Sequence, residues 1–123
     1  MRILITNNPM AEKQHFDGIE KIFLSNAKLM DVLCLVRDKI HMGHKLLTHP
    51  LSGSIKPNQT PYKSIMITKD KGQLDFESLS LIEDSITVAK GLASSAETPK
   101  AFLEDFQLID MDLIINEIDR RHA

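Results

Sequence analysis

The 123-residue sequence contains no tryptophan, one tyrosine and one cysteine, Cys34. A single cysteine excludes an internal disulfide, a Cys-x-x-Cys redox pair and a zinc site built from cysteines. No apolar run approaches the roughly 20 residues that a membrane-spanning helix needs. The first residues, MRILITNNP, predict a short strand that ends in a turn rather than a signal peptide. These features predict a cytoplasmic protein without a membrane partner.

The sequence also lacks a large excess of either charge. It has 15 basic and 17 acidic residues, a formal net charge of −2 and no block of basic residues. Proteins that bind nucleic acid usually carry a basic patch, so no nucleic-acid partner is predicted. The length is typical of one domain, and a hydrophobic fraction of 42% is enough to form a core. We therefore predict a single domain over residues 1–123.

Short apolar runs alternate with amphipathic stretches along the chain, which is typical of an α/β domain. The predicted strands are 3–6, 21–24, 45–48 and 64–68, and a short helix is predicted over 9–17. Two longer helices are predicted after Asn26, with Gly43 as terminator, and after Asp75. Residues 99–121 are predicted to be a helical C-terminal segment. The expected fold is a single three-layer domain with a small, mainly parallel sheet of about four strands and C-terminal helices.

A long polar loop, THPLSGSIKPNQTPYKS at 48–64, separates the last two predicted strands. Loops of this length within a compact domain are usually functional or disordered. Ligands of parallel α/β sheets bind beyond the carboxyl ends of the strands, where the loop is expected to begin. A Ser-Gly-Ser turn and a lysine suit a small anion. The predicted ligand-binding residues are Asn7, Asn8, Thr48, His49, Ser52, Gly53, Ser54 and Lys56.

Other interpretations of the loop stay open. In one of them the loop is a rigid crossover, and its three prolines serve only to fix the path of the chain. The pattern GxxxxGK[ST] of phosphate-binding loops is absent. As an enzyme, the protein would act on an anionic or phosphorylated substrate, with His49 as acid or base and with Lys56 and the Ser52–Ser54 backbone as the anion cradle. As an interaction module, it would use its C-terminal helices to form a homodimer or to dock another subunit. The apolar residues of these helices exceed one stripe, which predicts that they help to form a homodimer. Those residues are Phe102, Phe106, Ile109, Leu113, Ile114 and Ile118.

The histidines and carboxylates do not form a recognisable metal or catalytic motif. His41 and His44 are separated by the predicted helix terminator, and their carboxylate neighbours lack a standard ligand spacing. Two helical turns separate Cys34 from His41, about 10 Å, which is too far for a direct hydrogen bond. We predict no metal, no cofactor and no catalytic residue apart from His49 in the enzyme interpretation.

The run DVLCLVRDKIHMGHKLLTHPLSGSIKPNQTPYKSIMITK, residues 31–69, resembles the GrdX family. The specific part is GHKLLTHPLSGSIKPNQTPYKS, and the likeness extends more loosely to ITNNP at 5–9 and LDFESLSLIEDSI at 74–86. This family consists of small proteins associated with the glycine, sarcosine and betaine reductase gene clusters of amino-acid-fermenting anaerobes. The segment after Pro99 adds little to the likeness.

The resemblance implies an accessory or regulatory part in reductive amino-acid fermentation, in an anaerobic cytoplasm, with a glycine reductase component as a partner. In the interaction-module interpretation, the C-terminal helices would dock a reductase subunit. The resemblance brings no catalytic residues. Together with the residue patterns, it predicts a non-catalytic protein that binds a small anionic ligand or a partner through loop 48–64. Acetyl phosphate, the product expected of that pathway, is the ligand that the resemblance suggests.

Overall fold

A computed structural model describes residues 1–51, 61–92 and 100–122 of the chain. Strands and helices alternate through its first half, and helices follow the last strand. In chain order the elements are β1 (Arg2–Thr6), α1 (Pro9–Lys13), β2 (Ile19–Phe23), α2 (Leu29–His41), β3 (Ser64–Thr68), α3 (Phe76–Leu92) and α4 (Lys100–His122). The protein is therefore of the mixed α/β class, as predicted, with helices at its C-terminal end.

The described residues form a three-stranded sheet in the order β2-β1-β3. β1 runs parallel to β2 and antiparallel to β3, with Thr6 opposite both Phe23 and Ser64. The mainly parallel sheet of about four strands is therefore not confirmed. β1 is the central strand, paired with β2 on one side and with β3 on the other. Its last four residues are buried.

The predicted strand at 45–48 is reduced to a single antiparallel bridge between Leu46 and Ile67. Side-chain hydroxyls replace part of the expected backbone ladder. The amide of Met66 donates to Thr48 Oγ1 at 3.1 Å, and the amide of Lys45 donates to Thr68 Oγ1 at 2.9 Å. Because these bonds use backbone donors that a ladder would need, the segment runs beside β3 without becoming a regular strand.

Helices cover both faces of the sheet, because successive side chains of a strand point to opposite sides. Ile3, Ile5, Ile65 and Ile67 pack with α2 and α3 on one face. Leu4 and Met66 pack with α1 and α4 on the other face. The result is three layers, with a separate apolar core on each side of the strands.

The predicted start of α2 is wrong, and its predicted end is confirmed. Asn26 does not cap α2, which begins at Leu29; Asn26 instead has a φ of +55°. A first-turn carboxylate stabilises this helix start, since Asp31 Oδ2 accepts from the Lys28 amide at 2.8 Å. Gly43, with a φ of +107°, follows the end of α2 as predicted for a terminator.

Asp75 stabilises the start of α3, as predicted for a helix cap. Its Oδ2 accepts from the Ser78 amide at 3.1 Å and from the Ser78 hydroxyl at 2.6 Å. The pKa of Asp75 is lowered, first by the bond from the Ser78 hydroxyl, then by the bond from the Ser78 amide, with a further contribution from Lys45. The charged form of Asp75 is thus favoured by folding.

This lowered pKa predicts acid sensitivity at α3. A carboxyl group whose pKa is lower in the folded state contributes stability above its unfolded pKa, and that contribution disappears as the pH falls through the folded pKa. Asp75→Asn keeps a capping oxygen but cannot titrate. We expect the melting temperature of the wild type to exceed that of Asp75→Asn at pH 7, and the difference to shrink progressively as the pH falls below 3.8, the usual pKa of the group. A difference that stays constant with pH would contradict this account.

Candidate functional site

Buried polar residues gather where the end of β1 meets the start of β3. The two ends coincide because these strands are antiparallel. We call this group the polar edge. Its members are Thr6, Asn7 and Asn8 after β1, Lys63 and Ser64 at β3, and Asp110 from α4, all of them buried. Since buried polar groups destabilise a protein unless they are hydrogen-bonded, the bonding of this cluster decides its role.

Asp110 is the acceptor at the centre of the polar edge. Its Oδ1 accepts from the Ser64 amide at 3.0 Å, and its Oδ2 accepts from the Ser64 hydroxyl at 2.6 Å and from Asn8 Nδ2 at 2.9 Å. The Ser64 hydroxyl also lies 2.7 Å from Thr6 Oγ1. One carboxylate therefore joins the end of β1, the start of β3 and α4.

The side chain of Asn7 holds the C-terminal end of loop 48–64. Its Nδ2 donates to the carbonyls of Ala27 at 2.9 Å and Pro61 at 2.7 Å, and its Oδ1 accepts from the Lys63 amide at 2.9 Å. An asparagine amide has two donor hydrogens, and both are used here. Asn7 thus fixes the loop's exit, and in this conformation it has no hydrogen left to donate to a ligand.

Asn8 connects α1 to α4 in a similar way. Its Oδ1 accepts from the Met10 amide at 3.0 Å and caps α1, while its Nδ2 donates to the Gln107 carbonyl and to Asp110, both at 2.9 Å. Gln107 in turn donates through Nε2 to the Tyr62 hydroxyl at 2.8 Å. Through these contacts α4 supports the end of the loop as well as the sheet.

Lys63 is the buried cation of the polar edge. Its side chain is only 7% exposed, and burial lowers its pKa, an effect that the negative charge of Asp110 opposes. The carboxylate thereby favours the charged form of an amine that its surroundings would otherwise neutralise. The two charges offset each other at the polar edge.

The N-terminal end of the loop is attached to β3. Thr48, buried, accepts from the Met66 amide and so fixes the chain beside β3. The next residue, His49, is exposed, and its Nδ1 accepts from the Leu51 amide at 3.1 Å. When the ring is neutral its proton is therefore on Nε2, which makes that nitrogen a hydrogen-bond donor.

The structure describes four of the eight predicted ligand-binding residues. Asn7 and Asn8 lie on the β1 side of β3, and Thr48 lies on the opposite side with His49 following it. The remaining predicted residues lie outside the described part of the chain; they are Ser52, Gly53, Ser54 and Lys56.

Sequence reasoning missed the charged pair at the polar edge. Asp110 did carry a signal, because it lies four residues before Ile114 and eight before Ile118, in the phase of the buried side of α4. A carboxylate in such a position needs donors. Lys63, next to the apolar run of β3, had no comparable signal.

Residues 1–51, 61–92 and 100–122 contain neither a metal-binding cluster nor a membrane-spanning helix. No group of three or more histidine, cysteine, aspartate or glutamate residues there is arranged to hold a metal ion. None of the helices in this part of the chain combines the length and apolar character needed to cross a bilayer.

Fold and site define a small three-layer α/β protein with a long loop, whose end is held by Asn7 of a buried polar cluster and whose start is held by Thr48 beside β3. The family model described as GrdX-like protein matches residues 3–119. The chain therefore belongs to the GrdX-like protein family, which confirms the resemblance seen in the sequence. The match extends through most of α4 and includes Asp110. No curated protein and no solved structure gives a significant match.

Proposed function

We propose that this protein is a non-catalytic accessory or regulatory component of reductive amino-acid fermentation in an anaerobic cytoplasm. In this proposal it binds a small anionic ligand, or a glycine reductase component, through loop 48–64. The observation that supports it most is the attachment of both loop ends, by Thr48 at the start and by Asn7 at the end. Membership of the GrdX-like family supports the biological setting.

A loop fixed at both ends suits ligand binding for an entropic reason. Less conformational freedom is lost on binding when the flanking backbone is already ordered. Pro50, Pro57 and Pro61 restrict the backbone further. The proposed direct contacts are the backbone of Ser52–Ser54, the amine of Lys56 and the Nε2 proton of His49.

The charges of the polar edge are compatible with an anion near the end of the loop. A lone carboxylate at the polar edge would repel one, but Asp110 is offset by the cation of Lys63. Asn7 and Asn8 support the loop from below in this proposal, because their donor hydrogens are already used by protein carbonyls and a carboxylate.

The arrangement of His49 favours binding over acid–base catalysis. A general base needs a nitrogen that is free to accept a proton, and Nδ1 already accepts from the Leu51 amide. The exposed position of the ring also leaves it in water rather than in a closed site. The donor on Nε2 fits an anion's oxygen better than it fits proton abstraction.

Anion binding should raise the melting temperature by mass action. We expect millimolar inorganic phosphate or acetyl phosphate, at constant ionic strength, to stabilise the wild type, by about 2.7 kcal/mol at a hundred times the dissociation constant. The double variant Lys56→Ala/Gly53→Val and the single variant His49→Ala should each lose most of this shift.

The matched control is Lys71→Ala, which removes an exposed lysine outside the loop and should keep the full shift. Amide signals of the loop, followed by NMR, report the same binding without reference to stability. If neither phosphate changes the melting temperature or those signals, the loop does not bind these anions.

A further inference from the structure

Helix α4 has two apolar sides, and only one of them faces the sheet. Met111, Ile114 and Ile118 are buried against Leu4 and Met66. We call the second side the outer stripe; it consists of Phe102, Phe106, Ile109 and Leu113. Phe102 is 53% exposed, Ile109 40% and Leu113 36%, and Phe106 is half-buried. Adjacent apolar side chains of this size along one helix mark a surface suited to docking.

The spacing of the outer stripe is that of a helix-pairing seam. Its members follow one another at intervals of four, three and four residues. This is the a/d repeat by which one helix packs against another helix. Because the buried side of α4 already contacts the sheet, the repeat on the outer side is available to a helix from elsewhere.

Acidic side chains form a row along one edge of the outer stripe. Asp105, Asp112 and Asp119 are seven residues apart and all exposed. Seven residues make nearly two helical turns, so the three carboxylates lie on one line. Each lies in the position that flanks the seam and normally selects the partner by charge.

These charges bear on the homodimer that the sequence predicts from the same apolar residues. In an antiparallel pair of two copies, the aspartate rows of both copies would face each other. The like charges brought together in that arrangement disfavour pairing. In a parallel pair, each row would face the opposite flank of the other copy, which consists of Leu103, Asp110 and Glu117. Asp110 is buried in the polar edge and Glu117 is paired with Arg120, so that flank holds no lysine or arginine to attract an aspartate row.

We infer that the outer stripe binds an amphipathic helix of a different protein, whose apolar side is edged by lysine or arginine. Such a helix covers the exposed aromatic and aliphatic side chains and places its cations beside Asp105, Asp112 and Asp119. The apolar contacts supply affinity, and the charge pairs select the partner and its orientation. This interface is independent of loop 48–64 and of the anion proposal.

Two synthetic helical peptides test this inference. Both have leucine at the a and d positions of about three heptads; one has lysine at the flanking positions and the other has glutamate. Fluorescence anisotropy with the full chain should show binding of the lysine peptide, weakened by salt, and at least tenfold weaker binding of the glutamate peptide. Equal binding of the two peptides, or of neither, would overturn the inference.

Variants of the protein separate the two contributions. Ile109→Ser/Leu113→Ser should abolish binding of the lysine peptide, and Asp105→Asn/Asp112→Asn/Asp119→Asn should weaken it about tenfold or more. Glu104→Gln removes an exposed acid from the other side of α4 and should change nothing. Circular dichroism checks that each variant is folded. Unchanged binding in the triple aspartate variant would refute the role of charge.

Sedimentation velocity of the protein alone tests the competing occupant. We expect a monomer at micromolar concentration. A dimer that Ile109→Ser/Leu113→Ser converts to a monomer would show that a second copy covers the outer stripe, and it would overturn this inference in favour of the homodimer.

Discussion

Asp110→Ala should lower the free energy of unfolding by about 3–5 kcal/mol, as expected when one member of a buried charged group is removed. The change removes the acceptor of the Ser64 amide and one of the two acceptors of Asn8 Nδ2, and it leaves the Ser64 hydroxyl with Thr6 Oγ1 alone. It also removes the negative charge that offsets the lowering of the Lys63 pKa by burial. Urea unfolding followed by circular dichroism measures the effect.

Asp112→Ala is the matched control, because it removes a carboxylate from an exposed position two residues along the same helix. Its effect on the free energy of unfolding should stay within about 0.5 kcal/mol. Equal losses in the two variants would mean that the polar edge does not stabilise the fold, and that α4 is held by its apolar contacts alone.

The stability lost in Asp110→Ala has a contribution from charge and one from hydrogen bonds, and the pH dependence of the loss distinguishes them. An amine whose pKa is lower in the folded state weakens folding while it is protonated, and this penalty fades as the pH rises towards its unfolded value of 10.5. Without Asp110 the pKa of Lys63 falls further, so the penalty near neutral pH grows. The stability gap between wild type and Asp110→Ala should therefore narrow as the pH rises from 7 to 10.

Gly43→Ala should destabilise the protein by about 3–5 kcal/mol, because backbone strain and a collision add together. Gly43 has a φ of +107°, a backbone conformation that residues other than glycine rarely adopt. A Cβ at this position would lie 2.2 Å from the Gly72 carbonyl oxygen and 2.9 Å from the Gly72 nitrogen. It would also disturb the bond from the Gly72 amide to the Gly43 carbonyl, 3.0 Å long.

Gly72→Ala provides the control across the same contact. A Cβ on Gly72 meets nothing within 4 Å, so this variant should be close to the wild type in the free energy of unfolding. Comparable destabilisation by the two substitutions would show that the close approach of the two backbones is not what requires glycine at position 43.

The sequence predicted those parts of the fold that are set by local patterns. β1 and β3 are short apolar runs, and the apolar periodicity of α2 and α3 is regular, so their existence followed directly. Gly43 was predicted as a terminator for the same reason. Its contact with Gly72 was not, since nothing in either neighbourhood indicates that the two backbones meet.

Strand direction could not be predicted in this way. Whether β3 runs with or against β1 depends on the route of the long connection after α2, which no local residue preference determines. The segment 45–48 failed to become a strand because hydroxyls of Thr48 and Thr68 take up backbone donors. This competition between side-chain and backbone acceptors is visible only in the folded structure, where the hydroxyls and the amides lie next to each other.

The candidate site was predictable only where it follows from strand ends. Asn7, Asn8 and Thr48 were expected at strand ends because each follows an apolar run. Asn7 and Asn8 do follow β1, whereas Thr48 follows a single bridge and no regular strand. The use of the two asparagines as anchors was not expected, because it depends on carbonyls of Ala27, Pro61 and Gln107 that lie far away in the sequence. Lys63 and Asp110 likewise meet only through the tertiary fold.

The position of Asp110 on α4 has a consequence for synthesis. The ribosome makes β1, β3 and both ends of loop 48–64 before it makes this helix. Until α4 emerges from the exit tunnel, Asn8 and the Ser64 amide lack their acceptor, and Tyr62 lacks the bond from Gln107. A nascent chain that stops before residue 100 can bury the core shared with α2 and α3, yet its loop has lost one of its supports. The loop of this protein therefore gains its last supporting hydrogen bonds late in synthesis, when Gln107 and Asp110 of α4 leave the exit tunnel.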